Sequence, residues 1–332
     1  MDHAEDELPK SLDDTTLTFL KKPALELAHE LISRKYSLLE CDVDLKFRCS
    51  RPQDHYATNV PLTGLAVWFG AENLATIAAE SNARDFRNKT VLELGSGLGL
   101  AGISIAKMVQ ASADLYQGQS IFVLTDGEDD IMPLLQENCN LNGLGAISEG
   151  EGGPADPAAV VLSCRKLLWG DGPDFDALCA AYPGGFDTII GADLIYSEQQ
   201  QTTTLPALFY TVGRLLKRPV VVEETEAEIA PQGGESSSHG DTEEPLFYLA
   251  LTRRNFDPTA VLLEASRHGL AFDRVVEGSV YDLFGNTVDE PTFLWRDAIY
   301  AFRWRRRGES HITTAEEAEA LVSGGESFIY GE

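Results

Sequence analysis

VLELGSGLGLAG, residues Val91–Gly102, can be read in two registers that imply different ligands. From Gly95 it is a G-x-G-x-G loop; from Gly97 it is a G-x-G-x-x-G run ending at Gly102. A glycine loop between a strand and a helix lets backbone N–H groups approach a ligand with no Cβ in the way. In the dinucleotide fingerprint the first glycine directly follows the strand. Here the glycine after VLEL is Gly95, and the sixth position from it is Leu100, so that fingerprint fails in register. Gly102 then falls in the first turns of the following helix, where close packing on the strand accounts for it.

Glu93 separates the ligands further. It is a carboxylate in an otherwise apolar strand, and burying it without a partner would cost on the order of several kcal/mol. A ligand ammonium would offset that cost, whereas a pyrophosphate has the wrong sign; a structural salt bridge or a bond to a turn amide is the plain alternative. Asp126 ends the next strand, IFVLTD, where a ribose-hydroxyl acceptor belongs. It could equally cap the helix that follows. Together the two acids suit a ligand that is cationic at an amino-acid end and carries a ribose.

Outward from this stretch runs a strand–helix rhythm, the mark of a parallel sheet covered by helices. TVLEL (90–94) leads to a helix over 100–110, and IFVLTD (121–126) to a helix over 129–143. A Gly/Pro/Ala-rich loop (143–158) precedes the strand AVVLSCRKL (159–167). DTIIGADLIY (187–196) reads as a central strand, with the helix TTLPALFYTVGRLLK (203–217) behind it. PLFYLALTRR resumes as a strand, and FDPTAVLLEASRHG as a helix with Asp257 and Pro258 at its start. Strands near SVYDLF and DAIYAFRWRR close the sheet.

Upstream, apolar residues from Leu17 to Lys35 fall at helical spacing. SLLECDVDLKFRC alternates as a strand with Leu39, Cys41, Val43, Leu45 and Phe47 on one face. Leu62–Glu80 reads as an amphipathic helix. The expected organisation is an N-terminal extension (1–60) facing the substrate, a catalytic domain (61–307) and an acidic C-terminal tail (308–332). Within the domain, residues 223–244 are acidic, Ser/Gly-rich and aperiodic, and are expected to be a disordered insertion.

Composition bounds what the chain can do. Its 332 residues are 43% hydrophobic, enough for a buried core, and its net charge is −27. That charge argues against nucleic acid or anionic lipid as partners and suits a basic protein segment, although a merely solubilising surface has the same look. The five cysteines form no C-x-x-C pair, and the six histidines show no ligand spacing, so reduced thiols and no metal are expected. The N-terminal residues read as no targeting signal, and no apolar run reaches a membrane span. A cytoplasmic location, with the nucleus as a second compartment, and a monomer follow as expectations.

Four motifs in order, GLAVW (64–68), VLELGSGLGL (91–100), KLLWG (166–170) and ADLIY (192–196), resemble those of class I S-adenosylmethionine-dependent methyltransferases. More narrowly they are similar to the family 16 protein methyltransferases, most of whose characterised members modify lysine side chains. The likeness covers about residues 60–305. It implies an α/β fold, the seven-stranded Rossmann-like class I methyltransferase sheet, mostly parallel with helices on both faces. S-adenosylmethionine would be the cofactor, leaving S-adenosylhomocysteine. Glu93, Gly95, Gly97 and Gly99 would surround its methionine part and Asp126 would accept from the ribose. Trp169 beside Leu168 would lie against adenine, Trp68 would cover the cofactor, and Ala192 would line the same site. Asp193 and Tyr196, from Asp-x-x-Tyr, would face the methyl donor and the nucleophile. Alone, Trp68, Trp169 and Tyr196 read equally as packing residues. Phe69 stands where the family usually has proline, and Asp126 is followed by Gly127 rather than a longer side chain.

The reaction so implied is in-line displacement of a methyl group by a neutral lysine nitrogen. Lysine titrates near ~10.4, so its neutral form at pH 7 costs roughly 4–5 kcal/mol, which a neighbouring sulfonium and desolvation reduce. A bare carboxylate would act the other way, so Asp193 is assigned to orienting the amine. Competing readings are methylation of a protein arginine or histidine or of a small molecule, and a non-catalytic cofactor-binding interaction module.

Overall fold

Val91 and Leu92 are buried on opposite faces of strand β3 (Thr90–Leu94), whose neighbours on both sides run parallel to it. A strand covered on both faces takes apolar residues on both, and this is why Val91, Leu92 and Leu94 do not alternate with exposed positions; Glu93 is the exception. The computed structural model describes residues 30–38, 41–50, 63–113, 118–144, 160–195, 198–219, 244–253, 258–281 and 295–325.

Strands β4 (Ser120–Asp126), β5 (Val160–Lys166), β6 (Thr188–Ala192), β7 (Leu246–Arg253), β8 (Leu270–Tyr281) and β9 (Trp295–Trp304) join β3 in a seven-stranded sheet. Its order is β5-β4-β3-β6-β7-β9-β8. The first five are parallel, and β9 runs antiparallel to both β7 and β8. The chain winds one way from β3 through β5 and the other way from β6. A crevice therefore opens at the C-terminal ends of β3 and β6, the switch point at which open α/β sheets bind ligands. This is the seven-stranded class I methyltransferase sheet the motifs imply.

One face is covered by α1 (Phe69–Glu80) and α2 (Leu100–Ala111), with Ala75, Ala78, Ile103, Ile105 and Val109 packed on Val91, Phe122, Leu124 and Ile190. α3 (Met132–Leu141) flanks them. The opposite face holds α4 (Pro173–Ala181), α5 (Glu198–Leu215) and α6 (Pro258–Arg267), packed on Leu92, Val123, Ile189, Phe247 and Phe302. A hairpin of β1 (Glu30–Ser37) and β2 (Asp42–Cys49) lies outside α2 and α3, with Val43, Leu45 and Phe47 turned inward.

Several expectations are corrected. Residues 30–35 belong to β1, not to a helix from Leu17; residues 17–29 lie outside the described residues. Cys41 precedes β2, and Leu39 is outside the description. The helix expected from Leu62 begins at Phe69, after a short 3-10 turn at Thr63–Leu65. β8 starts at Leu270, well before SVYDLF, whose last three residues are not described. The acidic tail contains a helix, α7 (Ala315–Gly325), that packs on α6. The insertion expected over 223–244 lies outside the described residues but for Glu244.

Candidate active site

At the C-terminal ends of the parallel strands is a cavity of about 390 Å³, within the usual range of small-molecule sites, ~300–1,000 Å³. Trp68, Glu93, Gly95, Gly97, Asp126, Trp169, Ala192 and Asp193 all line it. Gly99 does not: it is the residue before α2, at φ +79°, and its Cα faces Leu135 and Ile103. Tyr196 lies outside the described residues.

The loop after β3 is tied down at each step. Ser96 donates its N–H to the Thr125 carbonyl (2.7 Å), and its hydroxyl accepts from the Thr125 N–H (3.0 Å). Gly97 has φ +51°, a region costly for side-chain-bearing residues. A Cβ there would also stand 3.0 Å from the carbonyl oxygen of Gly64, so the GLAVW segment and the glycine loop meet backbone to backbone. Asp126 Oδ2 accepts from Gly97 N–H (2.9 Å) and Oδ1 from Glu128 N–H (3.0 Å). Asp126 is thus a clamp between two loops, not the cap of α3, which begins beyond Ile131. Burial raises its pKa, and those backbone N–H groups pull it back. From α3, Asn138 donates to the Leu98 carbonyl (3.0 Å) and to the Arg48 carbonyl (3.2 Å), and it accepts from Arg48 N–H (2.7 Å). One amide side chain therefore fastens the hairpin to the glycine loop.

Glu93 is 3% exposed, and its Oε2 is buried without a hydrogen-bond partner. Burial pushes its pKa up to about 8; the Ser96 hydroxyl and Gly102 N–H work against this, and the charge of Asp126 adds to it. Gly102 packs on the strand as expected, with Glu93 Oε2 in the space a Cβ would fill.

Asp193 follows β6 at φ +50°, a strained conformation for a residue other than glycine. It is held there by two bonds of 2.8 Å: its N–H donates to the Ala250 carbonyl, and its Oδ2 accepts from Gly70 N–H in the first turn of α1. Phe69, in the place of the usual proline, is the first residue of α1. Proline suits that position because its N–H has no partner within the helix, and the helix starts there with phenylalanine as well.

Trp169 lies over Gly95, its Cζ2 3.3 Å from where a Cβ would be, and Gly170 N–H is held by the Thr211 hydroxyl of α5 (2.8 Å). Leu168, 60% exposed, stands at the rim against Gly127. The sequence reading missed Ser96, Glu128, Thr203 and Thr204, which also line the cavity. Ser96 was inside the quoted motif, and Glu128 is one of the acids after Asp126. The two threonines, on α5, have no local signal. Among the described residues four carboxylates (Glu93, Asp126, Glu128, Asp193) line the cavity, and no lysine, arginine or histidine does. Among the described residues no group of three or more His, Cys, Asp or Glu could hold a metal ion, and no helix is long and apolar enough to cross a membrane. The cysteines are free thiols, with Cys139 and Cys164 Sγ atoms 3.5 Å apart.

Residues 62–225 match the model of a family described as lysine methyltransferase. The chain is 35% identical over 134 residues to human protein-lysine N-methyltransferase EEF2KMT, 40% of this chain and 36% of that protein. It is 32% identical over 158 residues to zebrafish (Danio rerio) protein N-lysine methyltransferase METTL21A, 47% of this chain and 58% of that protein. The matched stretch thus spans from about a third to under two thirds of these relatives' own length. A solved methyltransferase from Pyrococcus furiosus is 11% identical, with a TM-score of 0.37, covering 69% of this chain and 83% of that one.

Proposed function

We propose that this chain, which belongs over residues 62–225 to the lysine methyltransferase family, transfers a methyl group from S-adenosylmethionine to the side-chain amine of a lysine on a protein. One observation carries the reading: among the described residues the cavity is lined by four carboxylates and no cation. Such a lining suits a cationic cofactor and a basic acceptor and disfavours a pyrophosphate. The unpartnered Oε2 of Glu93 fits the same group, because an ammonium near it would stabilise the carboxylate that burial otherwise keeps protonated.

When bound, S-adenosylmethionine supplies an electrophilic methyl on a positively charged sulfur. Glu93 and the main chain of Gly95 and Gly97 would hold its amino-acid end. Asp126 and Glu128 would accept from the ribose hydroxyls; Asp126 has lone pairs to spare after serving two loop amides. Trp169 and Leu168 would flank the adenine, and Trp68 would cover it from the start of α1.

Asp193 would accept a hydrogen bond from the incoming amine. Its carboxylate already receives the Gly70 N–H at a helix N-terminus, which drains part of its charge. It therefore does less to hold the lysine as an ammonium, while still fixing the nitrogen lone pair in line. Tyr196 enters this site from the motif alone. Positioning and exclusion of water supply most of the rate, up to about 7–11 kcal/mol in favourable cases.

The test is to incubate the protein with methyl-labelled donor and cell extract, then locate the label. Label on a protein lysine, lost in Asp193→Ala while donor binding persists, is the expected result. Label on RNA or a small molecule, or none despite donor binding, overturns the reading.

A further inference from the structure

A second cavity, about 520 Å³, lies between the β1–β2 hairpin, α2 and the end of α3, and shares no lining residue with the first. Leu100 at the start of α2 lines one and Lys107 lines the other, about 10 Å further along the helix. Among the described residues its lining has the reverse sign: Arg34, Lys35, Lys46 and Lys107, against Asp44. This is a basic recess in a chain of net charge −27.

The four cations are not equally committed. Arg34 pairs with Glu72, and Lys35 with Asp42 at 2.7 Å. Among the described residues Lys46 and Lys107 have no carboxylate within ion-pair distance. Lys107 donates to the Gln110 amide oxygen (2.7 Å), and partial burial lowers its pKa. The recess is also rigid. Buried Asn142 accepts from Lys46 N–H (2.9 Å) and donates to its carbonyl (2.7 Å), fixing the Lys46 backbone against the end of α3.

We propose that this recess is a binding site for a phosphoryl group, held between the ammonium groups of Lys46 and Lys107. Two ammoniums that no described carboxylate pairs match a doubly charged oxyanion, and lysine serves phosphate as a mobile point charge. The group would come either as a free phosphate compound or on a phosphorylated protein segment, and the two are separable.

Titration of the full chain with inorganic pyrophosphate, and with a phosphoserine peptide beside its unphosphorylated form, is followed calorimetrically in the absence of methyl donor. Saturable binding of either probe, weakened at least tenfold in Lys46→Gln/Lys107→Gln and weakened by added salt, is expected. Pyrophosphate binding alone identifies a free phosphate source, and preference for the phosphopeptide a protein one. Binding unchanged in the double variant, or no binding of either probe by the wild type, overturns the site. Lys46 is exposed and Lys107 partly buried, and matched thermal melts establish that the variant is folded. The readout involves no methyl transfer, so it stands or falls apart from the proposed activity.

Discussion

Asp193 and Gly70 stand 123 positions apart and are joined by one 2.8 Å hydrogen bond, from the Gly70 N–H to Asp193 Oδ2. The contact sets the end of β6 against the start of α1 and holds Asp193 in a backbone conformation it would not adopt alone. A Cβ on Gly70 would stand 2.9 Å from that oxygen and 3.1 Å from Asp193 Cγ. Gly70→Ala should therefore displace the carboxylate. A misplacement of ~1 Å can cost about 10²-fold in rate. The expected outcome is a fall in kcat of at least about tenfold, with donor Kd changed much less, read by single-turnover transfer and donor titration.

Glu93 gives a pH dependence of definite sign. Its folded pKa of about 8 lies above the usual 4.5, so between these values the folded protein keeps a proton that the unfolded chain releases. Its contribution to stability is complete below pH 4.5 and is lost as pH rises through 8. Denaturation midpoints of Glu93→Gln should gain on those of the wild type across this window. Donor binding should move the other way: the donor's α-amino group titrates in the same window in both proteins, so the ratio of wild-type to Glu93→Gln affinity is the readout, and it should rise toward pH 8 as the carboxylate ionises. Parallel curves for the two proteins would contradict the assignment.

Asn138→Ala removes three hydrogen bonds and leaves the Leu98 carbonyl and the Arg48 N–H without their partner. Orphaned buried polar groups cost ~1–3 kcal/mol each, so a loss of about 2–4 kcal/mol in urea denaturation is expected. Donor affinity should also fall, because the glycine loop loses its tie to α3.

Thr314 starts α7 with a capping box: Glu317 N–H donates to the Thr314 hydroxyl (3.2 Å), and Glu317 Oε2 accepts from Thr314 N–H (3.1 Å). Thr314→Ala should cost about 1 kcal/mol locally. Hydrogen exchange should show faster opening of α7, with the amides of β3 and β6 unchanged.

The parallel half of the sheet was legible because buried strands write themselves as apolar runs between turn residues. β3, α2 and β4 fall within a residue or so of where their spacing puts them. The hairpin was half legible: β2 alternates, but β1 reads ELISRKYS, with its polar and apolar residues not strictly in step. It is a strand because β2 pairs with it along its whole length. The helix in the tail was legible from T-A-E-E at 314–317 and was overlooked behind its acidic composition. At the site, residues inside motifs could be named in advance. Thr203 and Thr204 could not, since only the packing of α5 on the sheet brings them to the cavity. Gly64 and Gly70 stood in plain view, but what each leaves room for lies far along the chain.

The meeting of Gly64 and Gly97 makes the two positions unequal under selection. Added bulk at Gly64 would press on the side chain of Ile131, whose Cδ1 lies 2.8 Å from the new Cβ. A smaller residue at 131 can restore that space, so second-site suppressors of Gly64→Ala should collect there. Added bulk at Gly97 presses on the Gly64 main chain, which no substitution can trim. Revertants of Gly97→Ala should be restricted to glycine at the original codon.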